Sequence, residues 1–341
     1  MFDQYLLTGA TGFLGRAIMT RLLLSQQKVR VLVLPNDKSI TDLPDSVSVY
    51  KGDIQERDSL IQFFSGDLSN SCLIHCAGII SISSKEDKRL HGVNVIGTMN
   101  VLDLAKTRNV KKVIYVSSVH AIMEQPSGVV IRETDMFSPT NVHGQYAKSK
   151  AEASDIAMKY AKDGMNISIV HPSGLIGPGD YEMGNITNAI ALFCNKRIPC
   201  GIDGAYDFVD VRDVAAGVIA CSEMGKSGEG YLLTNRYITL DEIFSTLKSI
   251  TGVSYLKWDI PYSILKRIAP VAERICLWLR KPLFLTPYSV YTMQSNAFFS
   301  HTKADVDLNY HVRPLEETLR DTVQWLLEKK LIKPFKAKRE V

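Results

Sequence analysis

The sequence predicts an α/β protein, a doubly wound parallel sheet with a smaller C-terminal lobe. Three observations predict it. The first half alternates short apolar runs of strand length with longer helix-forming stretches, the rhythm of repeated βα units and of a sheet covered on both faces. A glycine-rich turn, Thr8-Gly9-Ala10-Thr11-Gly12-Phe13-Leu14-Gly15, joins the first apolar run to the first helix. After Pro172 the rhythm breaks, and residues 255–300 are rich in large apolar and aromatic side chains. With 341 residues, 45% of them hydrophobic, the chain can build one large domain and an appended lobe.

The elements follow in order. Tyr5-Leu6-Leu7 is a short apolar run and reads as a buried strand, and 16–24 carries a helix pattern. Val29-Arg30-Val31-Leu32-Val33-Leu34 is a second strand, rich in β-branched residues. A short strand at 47–50 leads through Gly52-Asp53-Ile54 to a helix at 56–64. Strands at 72–75, 113–116 and 167–170 alternate with helices at 86–107 and 143–162. Beyond Pro172, residues 174–180 are glycine-rich and read as a loop. A helix at 186–193 follows, then a strand-like run at 207–211 that feeds a helix at 212–221. These elements divide the chain into a Rossmann-type, NAD(P)-binding domain at 1–171, with contributions from about 205–222, and a substrate-binding lobe with a basic C-terminal tail at 172–341. The lobe is expected over the carboxyl ends of the strands, where open α/β sheets bind ligands.

Strand, glycine turn and helix together form the context that a dinucleotide fingerprint requires. Gly9 permits the tight turn, Gly12 lets the backbone approach a pyrophosphate, and Gly15 lets the helix pack closely on the sheet. The helix N-terminus offers free N–H groups and a positive dipole end to phosphates. Thr11, Phe13, Leu14 and Arg16 share that turn. The second strand ends Val33-Leu34-Pro35-Asn36-Asp37-Lys38, with no acid at its tip to hold a ribose 2′-hydroxyl. The missing acid removes a repulsion against a 2′-phosphate, and Lys38, Arg16 and Arg30 are candidate partners for it. That charge logic favours NADP(H) over NAD(H), although Leu34 stands where an arginine would settle the matter.

Tyr146 and Lys150, in Gly144-Gln145-Tyr146-Ala147-Lys148-Ser149-Lys150, stand four apart and share one face of a helix. A lysine one turn from a tyrosine lowers the phenol's pKa. A tyrosine so tuned passes a proton to or from a hydroxyl near neutral pH.

Other features exclude more than they assign. The net charge of +4 sits largely in the tail, at Lys329-Lys330 and 333–339, which reads as solvated and not as a nucleic-acid site. The six cysteines form no Cys-x-x-Cys and no metal-type cluster, so no metal is expected. They read as reduced thiols of a cytoplasmic protein, with no signal peptide ahead of the first strand.

The motifs, in their order and over nearly the whole chain, resemble the extended short-chain dehydrogenase/reductase family. The turn from Thr8 to Gly15 matches the family's Thr-Gly-x-x-Gly-x-x-Gly, and Tyr146 with Lys150 matches its catalytic pair. The resemblance implies further assignments. Asp53, beside Ile54, matches the acid that contacts adenine. His75-Cys76-Ala77-Gly78 resembles the segment lining the ribose. Asn94 matches the family's helix asparagine, with a structural reading and a proton-relay reading both open. Ser118, in Tyr115-Val116-Ser117-Ser118, matches the serine that binds the substrate oxygen. Pro172 and Ser173, in the run from His171 to Gly179, fall in the loop near the nicotinamide. Lys150 would also hold the nicotinamide ribose. His75 reads as a structural histidine, His120 as a lining or a loop residue, and His171 has no account. Within the family the chain is most similar to the dihydroflavonol-4-reductase-like and 3β-hydroxysteroid-dehydrogenase-like branch, partly through Ala297-Phe298-Phe299-Ser300-His301-Thr302-Lys303-Ala304 and Leu308-Asn309-Tyr310.

The implied reaction interconverts a secondary alcohol and a ketone. Family members acting on nucleotide-sugars often carry an arginine just before the Asp-Phe matched by Asp207-Phe208. Here Gly204-Ala205-Tyr206 precedes it, and a tyrosine cannot clamp phosphates. The apolar segment from Ile260 onward suits instead a bulky apolar substrate of steroid, terpenoid or polyphenol type. A nucleotide-sugar epimerase or dehydratase is the alternative within the class, and a non-catalytic NADP(H)-sensing protein the alternative outside it. The segment reads first as a lid or pocket wall, because Pro270 and Pro282 interrupt it and it is too short to span a bilayer. Lys266, Arg267, Arg274, Arg280 and Lys281 admit a second reading, contact of 262–281 with a membrane surface. A homodimer is compatible with the sequence.

Overall fold

The computed structural model describes residues 2–198, 200–279, 283 and 285–335; Arg280, Lys281, Pro282 and the tail at 336–341 lie outside them. The chain runs β1 (Gln4–Thr8), α1 (Phe13–Leu24), β2 (Val29–Val33), β3 (Ser48–Lys51), β4 (Ser71–His75), α2 (Arg89–His91), α3 (Gly97–Thr107), β5 (Lys112–Val116), α4 (Gln145–Lys162) and β6 (Ile167–Pro172). It continues through β7 (Gly174–Ile176), α5 (Asn185–Cys194), β8 (Cys200–Ile202), β9 (Ala205–Asp210), α6 (Val211–Met224), β10 (Gly230–Leu233), β11 (Arg236–Thr239) and α7 (Leu240–Thr251). Then come β12 (Leu256–Ile260), α8 (Tyr262–Trp278), α9 (Pro287–Thr292), α10 (Thr302–Leu308) and α11 (Leu315–Glu328).

The main sheet has seven strands in the order β10-β6-β5-β4-β1-β2-β3, all parallel. Its central strands are buried along their whole length, as their unbroken apolar runs require. One face packs on α1 and α6 and the other on α3 and α4, which makes the sheet doubly wound. The strand order reverses at β1, with β4 on one side and β2 on the other. The chain comes closest to itself there. Gly9 has φ +73°, and a Cβ on it would lie 2.7 Å from the Ala77 amide nitrogen beyond β4. A Cβ on Gly15 would lie 1.9 Å from the Gly9 carbonyl oxygen, so α1 meets the turn with no room for a side chain.

Several expected elements differ. The helix expected at 56–64 is a single 3-10 turn, Arg57–Leu60. Side chains take the carbonyls that a helix would use. Ser59 donates to the Asp53 and Glu56 carbonyls at 3.0 and 2.7 Å, and Arg30 donates to those of Phe63 and Ser65. The helix expected over 86–107 starts at Arg89 and widens into a π-turn at Gly92–Ile96. Residues 174–176, expected in a loop, form β7. The strand expected at 207–211 is β9, which pairs with β7 and β11 in a separate three-stranded sheet. The seventh main-sheet strand is β10, from well beyond residue 171.

The lobe packs α5, α7 and α11 around Ile238, Phe244 and Leu319, while α8 and α9 meet through Leu265, Ala269 and Val290. Among the described residues, no helix is long and apolar enough to cross a membrane.

Gly15→Ala should destabilise the protein by about 1–3 kcal/mol, because the added methyl overpacks the α1–turn contact. Denaturant unfolding checks this; wild-type stability would mean that the contact is looser than described.

Candidate active site

Ser118 follows β5, and Tyr146 and Lys150 sit on the first turns of α4. The helix starts abruptly at Gly144, whose φ of +92° turns the chain into it. Ser118, Tyr146 and Lys150 are all buried, at 6–7% exposure. Lys150 Nζ donates to the Val116 carbonyl at 2.8 Å and lies 5.1 Å from the centre of the Tyr115 ring. Burial lowers its ammonium to about 8. Burial also pushes the Tyr146 phenol up to about 12, against a hydrogen bond with Ser118 that lowers it. The phenol is thus raised by burial, not drawn down by Lys150 as the spacing suggested: the hydrogen bond with Ser118 is what lowers it, and the lysine ammonium is held on the Val116 carbonyl. Tyr146 holds its proton at neutral pH and can give it.

Two histidines shape the surroundings. His171, left without an account by sequence, lies at the end of β6 with Nδ1 3.1 Å from the Ser118 carbonyl. A carbonyl only accepts, so Nδ1 carries the proton. The ring stacks on Phe137, and burial lowers its pKa to about 4. His171 thus fixes the backbone that carries Ser118. His120 lines the site: its ring meets that of Tyr146 edge-on with centroids 5.9 Å apart. Its Nε2 is 3.1 Å from the Tyr206 hydroxyl and its Nδ1 3.4 Å from that of Tyr288. Burial lowers His120 to about 4, so it is neutral and bridges the two phenols. Tyr288, on α9, packs against Gly144; a Cβ there would lie 2.3 Å from its ring. The wall facing Tyr146 is aromatic, and Glu124, which accepts from the Tyr291 hydroxyl at 2.6 Å, lines the cavity beside His120.

The glycine turn has the features of a dinucleotide cradle. No side chain caps the N-terminus of α1, leaving its first N–H groups for an anion. A Cβ on Gly12 would meet nothing closer than the Gly9 carbonyl at 3.5 Å, so the protein's own packing does not demand a glycine there. That side of the turn is open. Leu14 is buried in the core, and Phe13 packs partly against it. Arg16 donates from Nε to the Thr11 carbonyl at 2.9 Å and lies over the Tyr181 ring. Asp53 sits past β3 and accepts from the Gln55 amide at 2.9 Å, while Ile54 packs where a Cβ on Gly97 would stand.

A relay of hydrogen bonds continues inward. The Ala77 amide donates to Thr8 Oγ1 at 3.1 Å, and Thr8 meets His75 Nδ1 at 2.7 Å. His75 Nε2 meets Thr98 Oγ1 at 3.0 Å, and Thr98 donates to the Asn94 carbonyl. Only one direction satisfies every group, with His75 protonated at Nε2. His75, held neutral with a pKa near 3 by burial, is structural, as its strand-end position suggested. The Asn94 side chain bonds both the amide and the carbonyl of Ile79 and also Ser149. That occupancy favours its structural reading over cofactor contact or relay. Cys76 is pushed up to about 11 by burial. A Cβ on Gly78 would lie 3.1 Å from Asn94 Oδ1 and 3.6 Å from Lys150 Nζ.

Three residues expected at the cofactor have these surroundings. Arg30 is spent on the Phe63 and Ser65 carbonyls and stacks on Tyr50, away from the turn. Lys38 is exposed, on a 3-10 turn beyond the second strand. Ser173 gives its hydroxyl to Asp207, although Pro172 ends β6 as placed. Sequence reasoning missed His171, Asp207 and the Tyr206–Tyr288 pair. Tyr206 registered only as an absent arginine, and nothing local marks Tyr288.

A glycine cradle beside a buried phenol with a proton to give is the signature of a nicotinamide-dependent oxidoreductase. Comparison with known proteins narrows that class: residues 5–233 match the NAD dependent epimerase/dehydratase family, and the chain belongs to that family. It is 28% identical to sterol demethylase protein B of Methylococcus capsulatus, over 96% of this chain and 99% of that one. It is 29% identical to a Synechocystis protein named, provisionally, as a dihydroflavonol 4-reductase, over 95% of both chains. Among solved structures it resembles gox2253, with TM-score 0.83 and 29% identity over 97% of this chain and 100% of that one. The resemblance read from the motifs is borne out. Among the described residues, no cluster of His, Cys, Asp or Glu could hold a metal ion.

Asp207 is fully buried, and burial raises its carboxyl to about 7 against bonds from the Asn235 amide and Ser173. Its folded pKa lies above the unfolded value, so its contribution to stability is present below about pH 4 and is lost as pH rises to about 7. Asp207→Asn should flatten the fall in melting temperature across that window and leave the variant the more stable protein at pH 8. Parallel curves would refute it.

Proposed function

We propose that this chain interconverts a secondary alcohol and a ketone on a bulky, largely apolar substrate of steroid, terpenoid or polyphenol type. The observation that carries the reading is the buried Tyr146 phenol facing an aromatic wall of His120, Tyr206 and Tyr288. The relatives' names support it, since sterol demethylase protein B and a fission-yeast sterol-4-alpha-carboxylate 3-dehydrogenase (24% identical) are both named for sterols.

Bound NADP(H) or NAD(H) supplies the hydride chemistry. The uncapped start of α1, behind Gly9, Gly12 and Gly15, would hold its phosphates, and Asp53, Gly78 and Lys150 the adenosine and ribose side. In the reducing direction Tyr146 donates its proton to the substrate oxygen. Ser118, its backbone anchored by His171, donates a hydrogen bond to the same oxygen and stabilises the charge that develops there. The Lys150 ammonium, held on the Val116 carbonyl, stabilises the phenolate left behind. The cavity beside His120 measures about 20 Å³, room for one water.

The preference for NADP(H) rests on the missing acid after Val33 and on Arg16 near the turn. Asp37 comes late, in the loop, where its carboxylate accepts from the Ser39 amide at 2.8 Å.

Tyr146→Phe should lower reduction of a steroid or flavonoid ketone by about 100-fold or more, with cofactor affinity unchanged. Steady-state rates and cofactor titration test this, and full activity in the variant would sink the assignment. Titration of the wild type should give tighter NADPH than NADH binding. Turnover confined to nucleotide-sugars in a carbonyl screen would overturn the substrate reading.

A further inference from the structure

The outer face of α8 carries an apolar stripe with no partner. Ile264, Ile268, Val271, Ile275 and Trp278 follow one another at spacings of four, three, four and three residues, and so form one line along the helix. With Leu279 they are 42–82% exposed, and Trp278 is the most exposed of them. The opposite face already has its partners. Leu265 and Ala269 pack on Val290 of α9, and Glu273 turns inward to accept from Ser83 Oγ at 3.1 Å and the Ser84 amide at 2.7 Å.

That inward turn decides the charge of the surface. With its acid buried, the exposed charges of α8 are Lys266, Arg267 and Arg274, all cationic. Lys85 joins Arg274 in lining a groove of about 280 Å³ along the flank of the helix. In sequence, Arg280 and Lys281 follow. An apolar stripe edged by cations fits the boundary between acyl chains and anionic headgroups. It fits a second copy of the chain poorly, because two such helices would oppose cation to cation with no exposed acid on α8 to pair them.

We propose that α8 docks this protein on an anionic lipid surface, with Trp278 and the isoleucines in the headgroup–acyl boundary and Arg267, Arg274 and Lys85 on the phosphates. The proposal goes beyond the assigned reaction and does not depend on turnover. It would place α9, which carries Tyr288, next to the lipid from which an apolar substrate could pass.

The test is flotation of the full chain with vesicles of phosphatidylcholine alone or mixed with phosphatidylglycerol. The wild type should float with the mixed vesicles, less with phosphatidylcholine alone, and less at high salt. Ile268→Glu with Ile275→Glu, and separately Arg267→Glu with Arg274→Glu, should each cut the bound fraction about tenfold or more. These side chains are exposed, so melting temperatures should stay near the wild type's. Wild-type protein that does not float overturns the proposal, whatever the variants do. So does binding that neither pair of substitutions weakens. A wild-type dimer that the isoleucine variant splits, without vesicle binding, gives the face to a second copy.

Discussion

The chain must pass within one carbon atom of itself where the strand order reverses. At Gly9 the backbone leaves β1 against the Ala77 amide beyond β4, with no space for a Cβ, and α1 closes on the same turn at Gly15. Everything that forms the site hangs on this approach. It leaves the start of α1 uncapped and facing outward. It also sets Thr8 opposite His75, which begins the buried relay through Thr98 to Asn94. Asn94 then grips Ile79 on one side and Ser149 of α4 on the other. The glycine turn and the helix bearing Tyr146 and Lys150 are thus joined by polar contacts inside a dry core, where a single unmade bond is costly.

Burial governs the chemistry of the site more than charge does. Tyr146, His120 and His171 are each pushed toward their neutral forms, and Lys150 is brought down to about 8. The Lys150 ammonium donates to a backbone carbonyl, that of Val116. A neutral phenol beside a neutral, hydrogen-bonded histidine is suited to delivering a proton to a carbonyl oxygen.

What could be read from the sequence was local or periodic. The glycine turn, the alternation of βα units and the four-residue spacing of Tyr146 and Lys150 are each contained within a few turns of chain, and the fold reproduces them. Failures came where distant residues decide. The helix at 56–64 shrank because Ser59 and Arg30 take its carbonyls, the latter from another strand. Strand β7 forms only because β9 lies beside it. His171 has meaning only through Ser118, and Tyr288 only through Gly144 and His120, partners 144 and 168 residues away in the chain. The lowering of Tyr146 by Lys150 failed for a related reason: a spacing rule states that two groups are near, not how deeply both are buried.

The contact between Tyr288 and Gly144 has a consequence for the order in which the enzyme comes into being. A ribosome that has released the first 233 residues has delivered the whole main sheet and the Ser118–Tyr146–Lys150 set. Domains generally fold as units, N-terminal first, during synthesis. The Ser118–Tyr146–Lys150 set, with His120 and Tyr206 beside it, is thus assembled before Tyr288 arrives. Until α9 emerges, the start of α4 and His120 stand without their cover. The cover that Tyr288 gives to Gly144 and His120 is the last part of the site the growing chain acquires, and a chain cut short after the sheet would hold Tyr146 without it.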